Sequence, residues 1–272
     1  MELVSIIIRT CGRPHILKGA LESVRSQTYQ NIEVIVVEDG ENTAQKMIEE
    51  EFSDLNVKYT STGERKGRTV AGNLALSLST GEYLNFLDDD DYLFPQHVET
   101  LIKEKRKTDH LAVYSIAYES TVEYDKKKNC YKEYKRKVRY RQPFNRTFLT
   151  FNNYIPIQSI MFSRKLYEEL GGFDETMDLL EDWELWVRYS TKTDFSFVDQ
   201  ITSLYRVPKR KNKRGAGFYA TYLVEIEKFK KYNVVMNYYD VNRDVEYMLN
   251  YLKTPKWKRI LKEIRNKIFY KE

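Results

Sequence analysis

The chain has 272 residues, 42% hydrophobic and 31% charged, with 45 Lys and Arg against 40 Asp and Glu for a net charge of +5. That length holds one large domain or two small ones with a sizeable core, and the mildly basic balance favours anionic partners without choosing among nucleotide, nucleic acid and lipid. Two cysteines, Cys11 and Cys130, argue against a disulfide framework and for a reducing compartment. No stretch approaches the roughly 20 apolar residues of a membrane span, and the first residues lack the pattern of a signal peptide, so a cytoplasmic location is expected.

From residue 3 to about 119, short β-branched runs alternate with amphipathic stretches. Strands are expected at Val4 to Arg9, Glu33 to Glu38, Val57 to Ser61, Glu82 to Leu87 and Leu111 to Tyr118, with helix patterns through Leu17, Leu21, Val24 and through Leu74, Leu78. This rhythm implies βαβ units and a mostly parallel sheet. Right-handed crossovers would put the strand ends Arg9-Thr10, Glu38-Asp39 and Asp88 to Asp91 on one rim. Residues 120 to 142 interleave Lys, Arg and Tyr, which reads as a solvated hairpin or a mobile excursion. Beyond them a strand is expected at Ile155 to Phe162, a short helix capped by Ser163 and ending at Gly171-Gly172, and a helix over Glu181 to Tyr189. The basic run Arg206 to Arg214 then separates this region from a helical C-terminus.

The four consecutive aspartates Asp88 to Asp91 follow the apolar run Tyr83 to Leu87. Open α/β sheets place their ligands at the carboxyl ends of such strands. Two unit charges about 4 Å apart cost roughly 1 kcal/mol in water and about 4 at the effective dielectric of a protein surface. Such a cluster takes up protons or recruits a cation, and an all-oxygen site suits magnesium or manganese. The competing reading is an acidic cap on the following helix, with Pro95 in its first turn. Glu38-Asp39-Gly40 is a second carboxylate pair on the same rim, where Asp39 accepts from a base or ribose or simply forms a turn. The loop Thr10-Cys11-Gly12-Arg13-Pro14 leads into a helix, where backbone amides can meet an anion or a base. No glycine-rich phosphate cradle follows any strand, which leaves neutralisation of a diphosphate to a metal.

Several segments together resemble glycosyltransferase family 2, inverting enzymes with the GT-A fold. They are Ser5-Ile6-Ile7-Ile8, Arg13-Pro14, Leu21-Glu22-Ser23-Val24, Ser26-Gln27-Thr28-Tyr29, Val36 to Gly40, Ala71-Gly72-Asn73, Thr80-Gly81-Glu82-Tyr83 and Phe86 to Asp91. Gly171 to Glu175, Glu181-Asp182-Trp183-Glu184-Leu185-Trp186 and Tyr205-Arg206 resemble that family's acceptor-side motifs, so the likeness spans about residues 3 to 207. It implies a Rossmann-like, mostly parallel α/β sheet flanked by helices over 1–214, with a nucleotide-sugar half at 1–119, an acceptor half at 120–214 and a helical extension at 215–272.

The implied activity is metal-dependent transfer of a sugar, with inversion, from a UDP- or dTDP-sugar to a glycan or lipid-linked acceptor in cell-surface polysaccharide synthesis. By the same resemblance, Thr10, Cys11 and Arg13 line the nucleotide pocket, Asp39 accepts from the base and Arg68 lies near the diphosphate. Asp88 and Asp89 face the ribose or reach the metal through water, Asp90 is the Mn2+ or Mg2+ ligand, and Asp91 orders the loop. Asp182 is the general base, with Glu181 its rival, and Glu181 and Trp183 contact acceptor or donor sugar. At the start of a helix, Asp182 is expected to be ionised at neutral pH; it can also serve merely as a cap.

Two departures matter. Ala71-Gly72-Asn73 stands where the family often has Ala-Arg-Asn, which leaves the basic contact to Arg68 or Arg65. Val207-Pro208-Lys209-Arg210-Lys211 stands where relatives can place a histidine, so these cations are either phosphate-neutralising groups or a solvated linker. In the tail, Trp257, Ile260, Leu261, Ile264 and Ile268 at helical spacing among Lys and Arg over residues 254–270 fit either the inner face of a membrane or a packing partner. A non-catalytic carbohydrate or nucleotide-binding module is the alternative function, against which Asp90 and Asp182 count. Nucleic-acid binding leaves the acidic rim unexplained and is not expected.

Overall fold

The structure, a computed structural model, describes residues 1–209 apart from Lys126 and Asp178. The expected extension at 215–272, its amphipathic tail at 254–270 and the domain end at 214 lie outside the described residues. The elements run β1 (Val4–Thr10), α1 (Pro14–Arg25), β2 (Ile32–Glu38), α2 (Gln45–Glu51), β3 (Val57–Ser61), α3 (Arg68–Leu78), β4 (Tyr83–Asp88), β5 (Tyr92–Leu93), α4 (His97–Lys105), β6 (Ala112–Asp125), β7 (Cys130–Val138), α5 (Arg146–Phe151), β8 (Ile160–Ser163), α6 (Arg164–Leu170), α7 (Glu181–Ser190) and β9 (Phe195–Pro208).

Strand β1 is buried along its whole length because it sits between β2 and β4 in the parallel order β3-β2-β1-β4. A central parallel strand covered on both faces reads as a continuous apolar run, and Ile6-Ile7-Ile8 is one. Its alternate side chains feed two cores. Ile6 and Ile8 pack with Leu17, Leu21, Val24, Val98 and Leu101 of α1 and α4, while Ile7 packs with Ala71, Ala75, Leu76, Trp183 and Trp186 of α3 and α7. Leu78, expected on the buried stripe of α3, is 40% exposed, since the helix turns its alanine face inward.

Past β4 the sheet becomes mixed. Strand β8 enters antiparallel between β4 and β6, and β9 then runs parallel to β6. The strand expected at Ile155 to Phe162 shortens to Ile160–Ser163 after a turn of 3-10 helix at Ile157–Ser159. Ser163 does cap α6, accepting from the Lys165 amide at 3.4 Å. The 120 to 142 segment is an ordered hairpin of β6 and β7 rather than a loose excursion, because β6 pairs with β7 from Tyr118 to Asp125 and, through bulges, with β9 as far as Pro208. Beneath the rim, buried His97 bridges Asn85 Oδ1 (2.8 Å) and Thr202 Oγ1 (2.6 Å), bracing β4, α4 and β9.

Candidate functional site

Register aligns the strand ends. Thr10 of β1 pairs with Glu38 of β2, and Arg9 pairs with Asp88 of β4, so the acidic run emerges beside the turn after β1. Helix α4 takes Gln96 as its N-terminal flank, and β5 intervenes between it and the aspartates. The run therefore does not cap that helix.

The four carboxylates have different surroundings. Asp88 accepts from Arg9 Nη2 (2.7 Å) and Nε (3.1 Å). Asp89 is buried and accepts from Thr10 Oγ1 (2.6 Å) and Arg13 Nε (3.1 Å); burial still pushes its carboxyl up to about 7, the Arg13 charge opposing it. Asp91, also buried, accepts from the Arg206 amide at 2.9 Å, which ties the loop to β9, and burial together with its acidic neighbours raises it well above the usual range. Asp90 is the member left open. Its side chain is 35% exposed, its nearest cation is Arg13 Nη1 at 3.8 Å, and burial plus the Asp88 charge raise its carboxyl. An acid held in that condition is stabilised by a nearby cation.

The second carboxylate pair divides its work. Glu38 is buried and accepts from the amides of Gly12 (3.1 Å), Thr43 (2.9 Å) and Ala44 (3.0 Å) and from Tyr59 Oη (2.5 Å). Burial works against its ionisation, but the Thr43 and Tyr59 hydroxyls and those amides outweigh it and hold the carboxyl low. One amide of the 10 to 14 loop is thus spent on the fold. Asp39 accepts from the Lys66 amide (2.7 Å) and the Gly67 amide (3.2 Å), fastening the loop that opens α3. A carboxylate offers about four acceptor positions, so room for a further donor persists. Cys11 carries a free, half-buried thiol in the turn beside them.

Across the rim, α7 begins after Leu180, whose backbone is left-handed (φ 63°). A branched residue adopts that conformation only when its surroundings impose it. Glu181 is buried and accepts from Arg9 Nη1 (3.2 Å) and Arg68 Nη1 (3.4 Å). Asp182 accepts from the Trp183 amide (2.8 Å) and from Asn153 Nδ2 (3.0 Å). Burial and then the Glu181 charge push its carboxyl up to about 7. The expectation of an ionised Asp182 at neutral pH is corrected to a partly ionised one on this ground: three acids crowd the first turn of α7, and desolvation overrides the helix dipole.

Trp183 is a second correction. It is 1% exposed and donates its indole N–H to the Leu149 carbonyl, so it forms core and is out of reach of a sugar. Arg9, expected only as a strand end on the rim, carries a role that the sequence did not assign. It is 7% exposed, stacks 5.1 Å from the Phe173 ring and joins Asp88 to Glu181, and its only signal is a charge at the end of an isoleucine run. Gly72 makes room for this stack: a Cβ there would lie 2.6 Å from the Phe173 ring and 3.3 Å from Arg9 Cδ. Arg68 stands exposed at the first turn of α3, where it can supply the basic contact that position 72 does not. Tyr131 and Arg206 complete the outer wall, with the guanidinium 4.5 Å from the ring centre and donating to the Asp90 carbonyl. A groove of about 320 Å³ runs between them, Asp90 and Lys209.

Among the described residues no group of three metal-binding side chains occurs and no helix is long and apolar enough to cross a membrane. A family model described as Glycosyl transferase family 2 matches residues 5–171. An uncharacterised glycosyltransferase of Methanocaldococcus jannaschii is 25% identical over 237 residues, covering 85% of this chain and 77% of that protein. The uncharacterised glycosyltransferase YwdF of Bacillus subtilis is 28% identical over 186 residues, 68% of this chain and 67% of its own. Among solved structures, S. aureus TarS in complex with UDP-GlcNAc superposes with a TM-score of 0.68 at 15% identity, covering 90% of this chain and 71% of that one. The mannosyltransferase PcManGT of Pyrobaculum calidifontis, in complex with GDP-Man and Mn2+, gives 0.59 at 19% identity over 77% of this chain and 58% of its own. These two likenesses establish the GT-A fold.

Proposed function

Because the chain belongs to glycosyl transferase family 2, and is therefore a glycosyltransferase, we propose that it displaces a nucleoside diphosphate from a sugar with inversion, using Asp182 as general base on the acceptor hydroxyl. The observation that carries this reading is the contrast within α7. Glu181 is locked by two arginines, while Asp182 is half-buried, bonded through one side-chain amide and pushed up to about 7. A base whose pKa lies near the working pH combines a useful ionised fraction with real proton affinity.

Thr10, Arg13, Asp88 and Asp89 form the floor of the donor site, and Asp39 has capacity to accept from the base of a UDP- or dTDP-sugar; the UDP and GDP-Man complexes of the structural neighbours support a nucleotide-sugar donor generally. Arg68, exposed beside Glu181, is placed for the diphosphate. Asp90 fits Mn2+ or Mg2+, since these ions keep several waters and substrate oxygens and need only one or two protein carboxylates. Such an ion, when bound, would neutralise charge on the departing diphosphate. The acceptor is a glycan or lipid-linked glycan, in keeping with polysaccharide synthesis. Contact with a membrane through 254–270, and phosphate neutralisation by Arg210 and Lys211, concern segments outside the described residues; Lys209 lies 3.5 Å over the Tyr134 ring.

The test is donor hydrolysis with and without manganese across a panel of UDP-, dTDP- and GDP-sugars. Parent protein should show metal-stimulated release of nucleoside diphosphate. Asp90→Ala should lose the stimulation and Asp182→Asn should lose turnover while still being thermally stabilised by the donor. Equal, manganese-insensitive turnover in all three would overturn the assignment.

A further inference from the structure

We propose that the hairpin of β6 and β7 is a docking arm for an acceptor glycan carrying repeated negative charges, delivered along the ribbon to the acidic loop. The inference rests on the transferase reading for the word acceptor. It is carried by charge, exposure and continuity with the site.

Between Glu119 and Arg141 stand nine cationic and four acidic side chains, a net +5 that equals the whole chain's. Internal pairing absorbs part of it. Lys137 and Arg139 share Glu119 (3.0 and 2.8 Å), Arg136 pairs with Glu133 (2.8 Å) and Arg141 with Asp199 (2.7 Å). Among the described residues Lys127, Lys128, Lys132 and Lys135 have no carboxylate within ion-pair distance.

Among the described residues strand β7 pairs with β6 alone, and Lys132, Glu133, Tyr134, Lys135 and Arg136 are all exposed along it. Lysines on a free edge also discourage unwanted strand pairing. That purpose does not call for Tyr134, which is 40% exposed and has Lys132 Nζ and Lys209 Nζ 5.2 and 3.5 Å from its ring centre. An exposed ring flanked by ammonium groups suits a sugar face with an anion beside it.

The ribbon also leads somewhere. Tyr131, next along β7, lies under Arg206, which bonds the Asp90 carbonyl and the Asp91 carboxylate, and the groove between them is lined by both Lys209 and Asp90. Nine residues of strand extend about 30 Å. That span exceeds what one nucleotide sugar covers, and it matches a polymer with charge repeated along its length.

The experiment uses the full chain and a fluorescent oligogalacturonate, with a maltooligosaccharide of equal length as the uncharged comparison, read by anisotropy. The parent should bind the anionic probe and not the neutral one. Lys132→Glu with Lys135→Glu should weaken binding at least ten-fold, and the gentler Lys132→Gln with Lys135→Gln about three-fold. Lys46→Glu with Lys103→Glu, the same charge change on α2 and α4, should stay within two-fold. Equal loss in the hairpin and control variants would overturn the proposal, as would tighter hairpin-dependent binding of phosphatidylglycerol vesicles or of a single-stranded oligonucleotide. Thermal stabilisation by nucleoside diphosphates, measured on the same proteins, separates the two readings. Its absence in the parent with glycan binding intact removes the transferase chemistry and leaves the arm.

Discussion

Glu181→Gln isolates what one buried charge does to the neighbouring carboxyl of Asp182, the base proposed above. Asp182 is pushed from 3.8 to about 7, chiefly by burial and next by Glu181, with Asn153, the Trp183 amide and Arg9 pulling the other way. A rise of about 3 units corresponds to roughly 4 kcal/mol of preference for the neutral acid. Near pH 7 about half of the carboxyl is ionised, and at pH 6 about a tenth. The pH profile of kcat/KM for nucleoside diphosphate release should therefore climb through about 7 and level above it. Glutamine at 181 can still accept from Arg9 and Arg68 but removes the negative charge, so the midpoint should fall by about one unit, roughly 1.4 kcal/mol. It should not return to the ordinary aspartate range, because burial is the larger cause. Asn153→Ala, which deletes a bond to the ionised form, should move the midpoint upward. A parent midpoint near 4, or one that ignores both substitutions, would refute the reasoning and reopen the role of base to another group.

Gly72→Arg should destabilise the protein rather than improve phosphate contact. Its Cβ meets the Phe173 ring at 2.6 Å, and overpacking of that kind costs about 1–3 kcal/mol. Thermal melts should show a lower Tm, and an unchanged Tm would show that the stack of Phe173 on Arg9 yields freely. His97 supplies a pH dependence of stability. Burial holds it down at about 3 against an ordinary value of 6.5, so below 6.5 the unfolded chain takes up a proton that the native state refuses. Stability is lost as pH falls through that window, by up to about 1.4 kcal/mol per unit. Urea melts of the parent and His97→Gln should draw together as pH drops from 7 to 4; a constant gap would contradict the buried neutral imidazole.

The parallel half of the sheet and its rim were legible because Ile6 to Ile8, Val34 to Val37 and Leu84 to Leu87 are long enough to read as buried strands, and the acidic residues follow them directly. The insertion of β8 was not legible, since four residues, Ile160–Ser163, read the same in either direction and only the partners decide. The different states of the four aspartates also escaped the sequence. They depend on Arg9, Thr10, Arg13 and Arg206, which converge only in three dimensions. Trp183 was misread because tryptophan serves equally as core and as sugar platform, and the burial that decides between them comes from Leu149 and the α7 packing.

Arg9 makes the boundary expected near residue 119 a poor place to recombine this protein with a relative. Its guanidinium belongs to β1 but answers to Asp88 on one side and Glu181 on the other, over a ring contributed by Phe173. A chimera that imports residues 120–209 without an acid at 181 and an aromatic at 173 strands a buried cation beside a carboxylate it must then share alone. Module swaps made at that boundary should carry those two positions along with residues 1–119, as though they had been inherited from them.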